Sequence, residues 1–251
     1  MTSRQYRDIG IVLRSYKLGE ADRIVVFLTR DNGKVRAVAK GVRKTRSKFG
    51  GRLEPLSHVH VQFHRGRELD IVNQVESVDA AGTVFGDLDA MTDASSILEA
   101  VDLLVPDREP VPETYRMLVG VRQMLMEKPS PLVMPAFLWK LLASEGVRPV
   151  LDRCIVCDEA VRSDDVVGFD LDQGGVSCRS CRGGSPVSAA ALALMRDVMG
   201  GRLVQALEAA HVPGVQRLDD PVVNEVAQLA TKAFEHHIER RLRSASLFER
   251  R

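Results

Sequence analysis

Four cysteines carry the most specific chemistry in this sequence. They form two pairs, Cys154/Cys157 and Cys178/Cys181, with two residues inside each pair and 20 residues between the pairs. Each CxxC turn presents two thiolates to one ion, and four thiolates complete the tetrahedral shell that Zn²⁺ prefers. The spacing therefore predicts one structural Zn²⁺ per chain. Four protein ligands leave no open position for a water molecule, which argues against a catalytic ion.

Two other interpretations of the cysteines are a pair of disulfides and a redox-active CxxC. The first residues lead into no apolar signal-peptide core, so we expect the chain to stay in the cytosol, where thiols are kept reduced. A thioredoxin-like redox motif requires a βαβ setting, and the segment around the cysteines lacks that pattern. Both observations favour metal binding.

The second chemical feature is a basic run near the N-terminus. Residues 32–53 contain no acidic side chain. A charge run is ordinarily a solvated face, but this one lies on a loop and a flanking strand with nothing to neutralise it, which favours contacts with nucleic-acid phosphates. The predicted phosphate contacts are Lys34, Arg36, Lys40, Arg43, Lys44, Arg46, Lys48 and Arg52, with Arg14, Arg23, Arg65 and Arg67 as weaker candidates.

The charge of the chain is strongly asymmetric. The 251 residues have a net charge of +1, yet residues 1–67 hold 16 Lys/Arg against 5 Asp/Glu, so that segment is +11 and the remainder is −10. A hydrophobic share of 45% and a charged share of 27% are typical of a globular protein with a buried core. No run of 18 apolar residues occurs, so no membrane span is predicted.

The first 80 residues have the pattern of short strands. Ile9, Ile11 and Leu13 alternate and are predicted to end before Arg14; further strands are predicted over 23–29, 34–39, 59–63 and 70–76. Asn32-Gly33 between the second and third is a strong hairpin signal, because both residues tolerate a positive φ. Five short strands predict an OB-type β-barrel.

From about Gly82 the hydrophobic period changes to that of helices. Helices are predicted around Ile97 and Val121, from about Pro135 to Gly146, and after Asp220-Pro221. We therefore predict an α+β protein of two domains: an OB-fold nucleic-acid-binding domain over 1–80, and an α-helical domain over 81–251 with an inserted four-cysteine zinc finger over 150–185.

Other residues are less informative. Tyr16 and Phe49 could each stack on a base or belong to a small core. His58, His60 and His64 are better explained as a solvated rim than as a metal site. The sequence has no phosphate-binding loop, no G-x-S-x-G motif and no H-E-x-x-H motif, so an enzyme is not predicted.

The quoted motifs resemble one known family. The segments over 11–15, 19–25, 33–44 and 47–55, followed by 146–154 with the two CxxC pairs, are similar to the RecO family of bacterial DNA repair proteins. The middle helices and the C-terminal third match only in general character. The resemblance implies an N-terminal OB-fold, a helical domain with a zinc finger and no enzymatic activity.

The resemblance also implies function and partners. Members of this family bind single- and double-stranded DNA, anneal complementary strands without ATP, contact RecR and the C-terminal tail of the single-strand-binding protein, and indirectly assist RecA loading. A cytoplasmic, nucleoid-associated location would follow. From the residues alone, an RNA-binding OB/zinc-ribbon protein of translation or RNA processing remains an alternative. A zinc-dependent nucleic-acid enzyme would need an open metal position or a carboxylate cluster, and neither is visible.

Overall fold

The structure, a computed structural model, describes residues 4–44, 47–79, 86–162, 167–210 and 220–244. The chain folds into two compact units, residues 1–126 and residues 127–251. None of the helices in these ranges has the length and apolar character needed to cross a bilayer.

Five strands of the first unit close into a barrel in the order β1-β2-β3-β5-β4. Their bounds are β1 Gln5–Leu18, β2 Asp22–Thr29, β3 Gly33–Ala39, β4 His58–His64 and β5 Asp70–Asp79. All neighbouring pairs are antiparallel except β3 with β5, which pair in parallel over two residues. This is the OB-type barrel that the strand pattern predicts. Its interior is filled by alternate residues of every strand, among them Val12, Val25, Phe27 and Phe63.

β1 is longer than the sequence pattern indicates. The prediction that this strand ends before Arg14 is wrong, because a bulge between Val12 and Arg14 shifts the register against β2 and the strand then continues to Leu18. A bulge interrupts the apolar alternation while the backbone pairing resumes beyond it. One long bent strand can therefore pair with both β2 and β4.

The β2–β3 hairpin forms at Asp31-Asn32-Gly33, as the sequence predicts. Gly33 has φ +65° and lies against the backbone of Glu109, so a side chain would not fit there. The buried carboxylate of Asp8 accepts hydrogen bonds from the backbone N–H groups of Asp31 and Asn32 and from the Asn32 amide. The turn is thus held by a long-range partner as well as by its own backbone preference.

Helices α1 Leu88–Leu104 and α2 Pro112–Glu127 follow the barrel. Asp87 caps α1 by accepting from the N–H groups of Asp89 and Ala90. The segment between the helices pairs with β3, because Arg108 N donates to Lys34 O at 2.9 Å. This backbone contact brings the Arg108 side chain to β5.

The Asp70 carboxylate at the start of β5 is fully buried. It accepts two hydrogen bonds from the Arg108 guanidinium, at 2.9 and 3.2 Å, together with one from Tyr6 Oη and one from Gly66 N. Burial alone would raise the pKa of Asp70, but the hydrogen bonds from Arg108, Tyr6 and Gly66 outweigh it and hold the pKa below its ordinary value. The carboxylate therefore stabilises the barrel in its charged form.

We expect Asp70→Asn to lower the free energy of unfolding by about 2–3 kcal/mol at pH 7, because it leaves Arg108 without its charged partner. A depressed folded-state pKa contributes stability above the unfolded value of about 4 and loses it as the pH falls further. The difference between wild type and variant should therefore shrink below about pH 4 in urea unfolding. Asp31→Asn, which removes an exposed pair with Arg30, is the matched control and should change little. Equal stability of Asp70→Asn and wild type at pH 7 would contradict this role.

The second unit combines helices with a small sheet. Its elements are α3 Val133–Ser144, β6 Val167–Asp170, β7 Gly175–Ser177, β8 Ser185–Val187, α4 Ala189–Met199, α5 Leu203–Ala210 and α6 Pro221–His237. A helix follows Asp220 as predicted, but it begins at Pro221 itself and not after it, with Asp220 as its cap. Trp139 of α3 is buried against Phe169 of β6, so it is a core residue of this unit. The three strands pair in the order β7-β6-β8 and flank the cysteine pairs.

The predicted domain boundary at residue 80 stays a prediction. The compact division at residues 126 and 127 groups α1 and nearly all of α2 with the barrel. The contacts of Asp102 and Arg108 with barrel strands account for this grouping.

Candidate nucleic-acid interface and metal centre

The basic loop, residues 40–52, is attached to the barrel by Phe49 within it and by Leu53 directly after it. Phe49 and Leu53, the latter at the end of the 3-10 helix Gly50–Leu53, are almost fully buried in the barrel core. Phe49 is therefore a core residue and not a base-stacking one. Two backbone contacts hold the start of the loop: Gly41 N donates to Asp22 Oδ1 at 2.7 Å, and Arg43 N donates to Ala21 O at 3.0 Å.

Several loop cations donate to backbone carbonyls, which leaves their charge uncompensated. Arg43 donates to Gly19 O and Glu20 O, Lys48 donates to Asn73 O, and Arg52 donates to Phe49 O. Lys40 and Lys44 are exposed, and neither side chain has a hydrogen bond or ion pair with a described residue. The loop thus presents several positive charges to solvent with no carboxylate partner among the described residues. Arg46 lies outside the described residues.

Lys34 differs from the residues of the basic loop because it is largely buried and paired with carboxylates. Its side chain is only 12% exposed, donates to Asp102 O at 2.6 Å and pairs with the carboxylates of Asp102 and Asp107. Lys34 therefore acts within the first unit, where it joins β3 to α1 and the segment that follows it. Its role as a phosphate contact stays a prediction, and its charge is already neutralised by Asp102 and Asp107.

The remaining predicted cations lie at other places on the barrel. Arg14 pairs with Asp102 and Arg23 pairs with Glu54. Arg65 lies over the Tyr6 ring, 5.1 Å from its centroid, and Arg67 is exposed without a partner among the described residues. Arg36 is exposed and donates to Tyr16 Oη at 2.9 Å. Carboxylate pairing among these predicted residues is thus limited, within the described ranges, to Arg14, Arg23 and Lys34.

The four cysteines meet in the second unit, as the spacing predicts. Their sulfur atoms all lie within 4.8 Å of one another, and the Sγ atoms of Cys157 and Cys178 are 3.7 Å apart. Tetrahedral zinc with Zn–S bonds of about 2.3 Å requires sulfur separations of roughly 3.8 Å. The donor set and its spacing therefore fit a tetrahedral thiolate metal site.

Local backbone geometry brings the two pairs together. Asp158 and Arg182 each follow the second cysteine of a pair and have positive φ, +61° and +43°, so the two turns end in the same left-handed conformation. Ile155 N donates to Val176 O at 3.0 Å, which attaches the first turn to β7. β7 leads directly into Cys178, so the second turn is placed beside the first.

The pKa values of the cysteine thiols favour the binding of a cation. Burial raises the pKa of the Cys154 thiol, but N–H donors of Cys157, Cys178 and Val156 more than offset it and lower the pKa to about 6. Hydrogen bonds with the neighbouring thiols of Cys157 and Cys178 raise the pKa of Cys181 to about 12. The Cys154 thiolate therefore forms readily, whereas the raised pKa values of Cys157 and Cys181 mean that these two thiols need a nearby positive charge to ionise.

Sequence reasoning missed the residue that holds the first cysteine turn. Arg196 of α4 donates to Leu151 O and Val161 O, each at 2.7 Å, and pairs with Asp152. Arg196 thus binds the backbone on both sides of Cys154 and Cys157, at Leu151 and at Val161. No local sequence signal indicates this role, because the carbonyl partners are 35 or more positions away.

A cavity of about 270 Å³ lies in the second unit, outside the cysteine cluster. Its walls include Trp139, Leu142 and Phe169, and its polar lining is Asp172, His236 and His237. Trp139 Nε1 is buried and has no hydrogen-bond partner among the described residues. The cavity therefore combines an apolar wall with a small polar lining.

The fold and the two sites define a class: an OB-type barrel with a basic loop, followed by a helical unit that carries a four-thiol metal site. Residues 1–81 match the family described as recombination protein O, N terminal, and residues 86–246 match recombination protein O, C terminal. The chain belongs to the recombination protein O (RecO) family, and its domains have a role in DNA recombination and repair. Family membership implies DNA and recombination proteins as partners.

Proposed function

We propose that this protein is a non-enzymatic recombination mediator that binds single- and double-stranded DNA and anneals complementary strands without ATP. The observation that carries the proposal is the basic loop, whose uncompensated cations are fixed to a closed OB-type barrel in a RecO-family chain. Membership of this family favours DNA over the RNA-binding alternative.

Annealing follows from charge neutralisation. Two DNA strands repel each other through their phosphates, and lysines and arginines that neutralise phosphates lower this repulsion and release counterions. The exposed cations Lys40, Arg43, Lys44, Lys48 and Arg52 lie on one short segment and can neutralise neighbouring phosphates. Because phosphate contacts leave Watson–Crick edges free, the strands can still pair.

The metal centre supports the fold in this proposal. Cys154, Cys157, Cys178 and Cys181 would hold one Zn²⁺, which supplies the cross-link between the two cysteine turns. A site closed by four thiolates has no vacant position for a substrate. Its contribution is therefore to the stability of the second unit and not to chemistry on DNA.

The cavity of the second unit is the candidate receptor for the tail of the single-strand-binding protein. An acidic tail with an apolar end needs an apolar cavity beside a cation. Trp139, Leu142 and Phe169 supply the apolar wall. Lys140 of α3 and Arg240 after α6 belong to the same unit and have no ion-pair partner among the described residues, so we propose one of them as the cation for the tail carboxylate. Arg122 and Arg196 are not proposed for this role, because they already pair with Asp79 and Asp152. We also propose RecR as a direct partner and RecA as an indirect one. We further propose that the protein is cytoplasmic and associates with the nucleoid.

The test is an annealing assay with complementary oligonucleotides and no nucleotide. We expect the protein to accelerate annealing of free strands and of strands coated with the single-strand-binding protein. With a tail-truncated single-strand-binding protein, the acceleration on coated strands should be reduced while that on free strands is unchanged. No acceleration on free strands would contradict the proposed function. Equal rates with intact and truncated protein would contradict only the tail interaction.

A further inference from the structure

An apolar strip runs across the outer face of β1, β2 and β3. In the strand register Tyr16 lies opposite Ile24, and Ile24 lies opposite Val38. The next residues, Val25 and Ala37, point into the barrel core. Because side chains alternate along a strand, Tyr16, Ile24 and Val38 share the outward face.

Solvent reaches part of this strip. Ile24 in the middle is 7% exposed, while Tyr16 and Val38 on either side are half-buried. Leu18, two residues beyond Tyr16 on the same face of β1, is 39% exposed. An aromatic ring and an exposed leucine therefore lie side by side on a strand face and do not belong to the core cluster.

Cations frame the strip. The Arg36 guanidinium reaches across β2 and donates to Tyr16 Oη at 2.9 Å. The Arg14 guanidinium carbon lies 5.3 Å from the Tyr16 ring centroid, and its side chain is 54% exposed. Lys40, two residues beyond Val38, begins the basic loop. Asp102 offsets the charge of Arg14, whereas Arg36 and Lys40 have no carboxylate partner among the described residues.

We propose that Tyr16 is a base-stacking residue, and that unpaired bases of a single-stranded nucleic acid lie on the strip formed by Tyr16, Leu18 and Val38. This inference rests on the proposed function and adds a base-contacting surface to its phosphate-contacting loop. Base–aromatic stacking accepts any base, because every base has a π-face. The continuity of the strip with Lys40 and the basic loop favours a polyanion with exposed bases over an apolar peptide. Paired bases are hidden inside a duplex, so the strip selects single strands.

The decisive comparison needs no variant. Binding of a single-stranded oligonucleotide is measured beside a strand of the same length and charge in which abasic sites replace the bases. Loss of one base–aromatic stack corresponds to roughly a 5- to 150-fold change in affinity. We expect the wild-type protein to bind the base-containing strand more tightly by a factor in this range.

Variants test whether Tyr16 is responsible for the tighter binding of the base-containing strand. Tyr16→Ala should remove most of the difference between the two strands, and Tyr16→Phe, which keeps the ring, should restore it. Lys44→Ala should weaken binding of both strands equally, because it removes only a phosphate contact. Thermal unfolding checks that each variant is folded. Photo-crosslinking of a strand containing 5-bromodeoxyuridine should label Tyr16 or Leu18 of β1 in the wild-type protein.

The outcomes separate this inference from the proposed function. If the wild-type protein binds neither strand, the proposed function itself fails. If it binds both strands equally, or if Tyr16→Ala keeps the full difference, the base-stacking inference fails while phosphate binding stands. Failure of the base-stacking inference is also the result expected if the strip binds a protein partner instead of DNA bases.

Discussion

Replacing Lys40, Arg43, Lys44 and Lys48 together by alanine is expected to reduce DNA affinity by on the order of 10³-fold at 0.1 M salt if all four side chains contact phosphates. The slope of log affinity against log salt should fall by about 0.7–0.9 for each contact that is lost. The reason is that these side chains are exposed and have no carboxylate partner within the described residues. Fluorescence anisotropy with a labelled oligonucleotide at several salt concentrations measures both quantities.

The matched control removes four exposed cations from the second unit. Lys128, Lys232, Arg240 and Arg241 changed to alanine give the same change in net charge. This variant should keep nearly the wild-type salt slope. An unchanged slope in the loop variant, or an equal loss in both variants, would show that the basic loop is not the phosphate-binding site.

Removal of the metal ligands should have the largest effect on stability. Cys154 is the buried member of the cluster, and Cys154→Ser should lower the metal content of the purified protein from near one zinc per chain to near zero. Because structural metal binding is coupled to folding, we expect the second unit to lose about 4–5 kcal/mol or more of stability. A strong chelator should produce a similar loss in the wild-type protein. Elemental analysis and thermal unfolding measure the two effects.

Ser180 provides the control, since it lies between Cys178 and Cys181 and is exposed. Ser180→Ala should keep one zinc and the wild-type melting behaviour. Wild-type protein without metal, or Cys154→Ser with a full complement, would refute the assignment. If zinc only supports the fold, the salt slope of DNA binding through the basic loop should be the same in Cys154→Ser and wild type.

Much of the architecture was predictable because it depends on local signals. The period-2 alternation of Val59, Val61 and Phe63 predicts a strand with one buried face, and the structure has β4 there. Asn32-Gly33 predicts the β2–β3 turn, because the turn requires positive φ. The end of β1 was mispredicted, because a bulge interrupts the alternation without ending the strand.

The sequence shows which basic residues form the run, but it does not show which of them are neutralised by a carboxylate. Lys34 and Lys40 belong to the same run, yet Lys34 is neutralised by Asp102, 68 positions away, while Lys40 remains exposed. Likewise Phe49 and Tyr16 were equivalent candidates for base stacking. Phe49 is buried in the barrel core, whereas the strand register places Tyr16 on the outer face of the barrel.

By itself, the sequence determined the OB-type barrel, the helical character of the later part, the four-thiol cluster and the region where positive charge accumulates. These features follow from residue type, hydrophobic period and short spacing, which act within a few residues along the chain. Only the tertiary structure decided which cations keep a free charge, which aromatic ring reaches solvent and how Arg196 holds the cysteine turn. Those properties depend on contacts between residues that are tens of positions apart, and a single sequence does not record which distant residues meet.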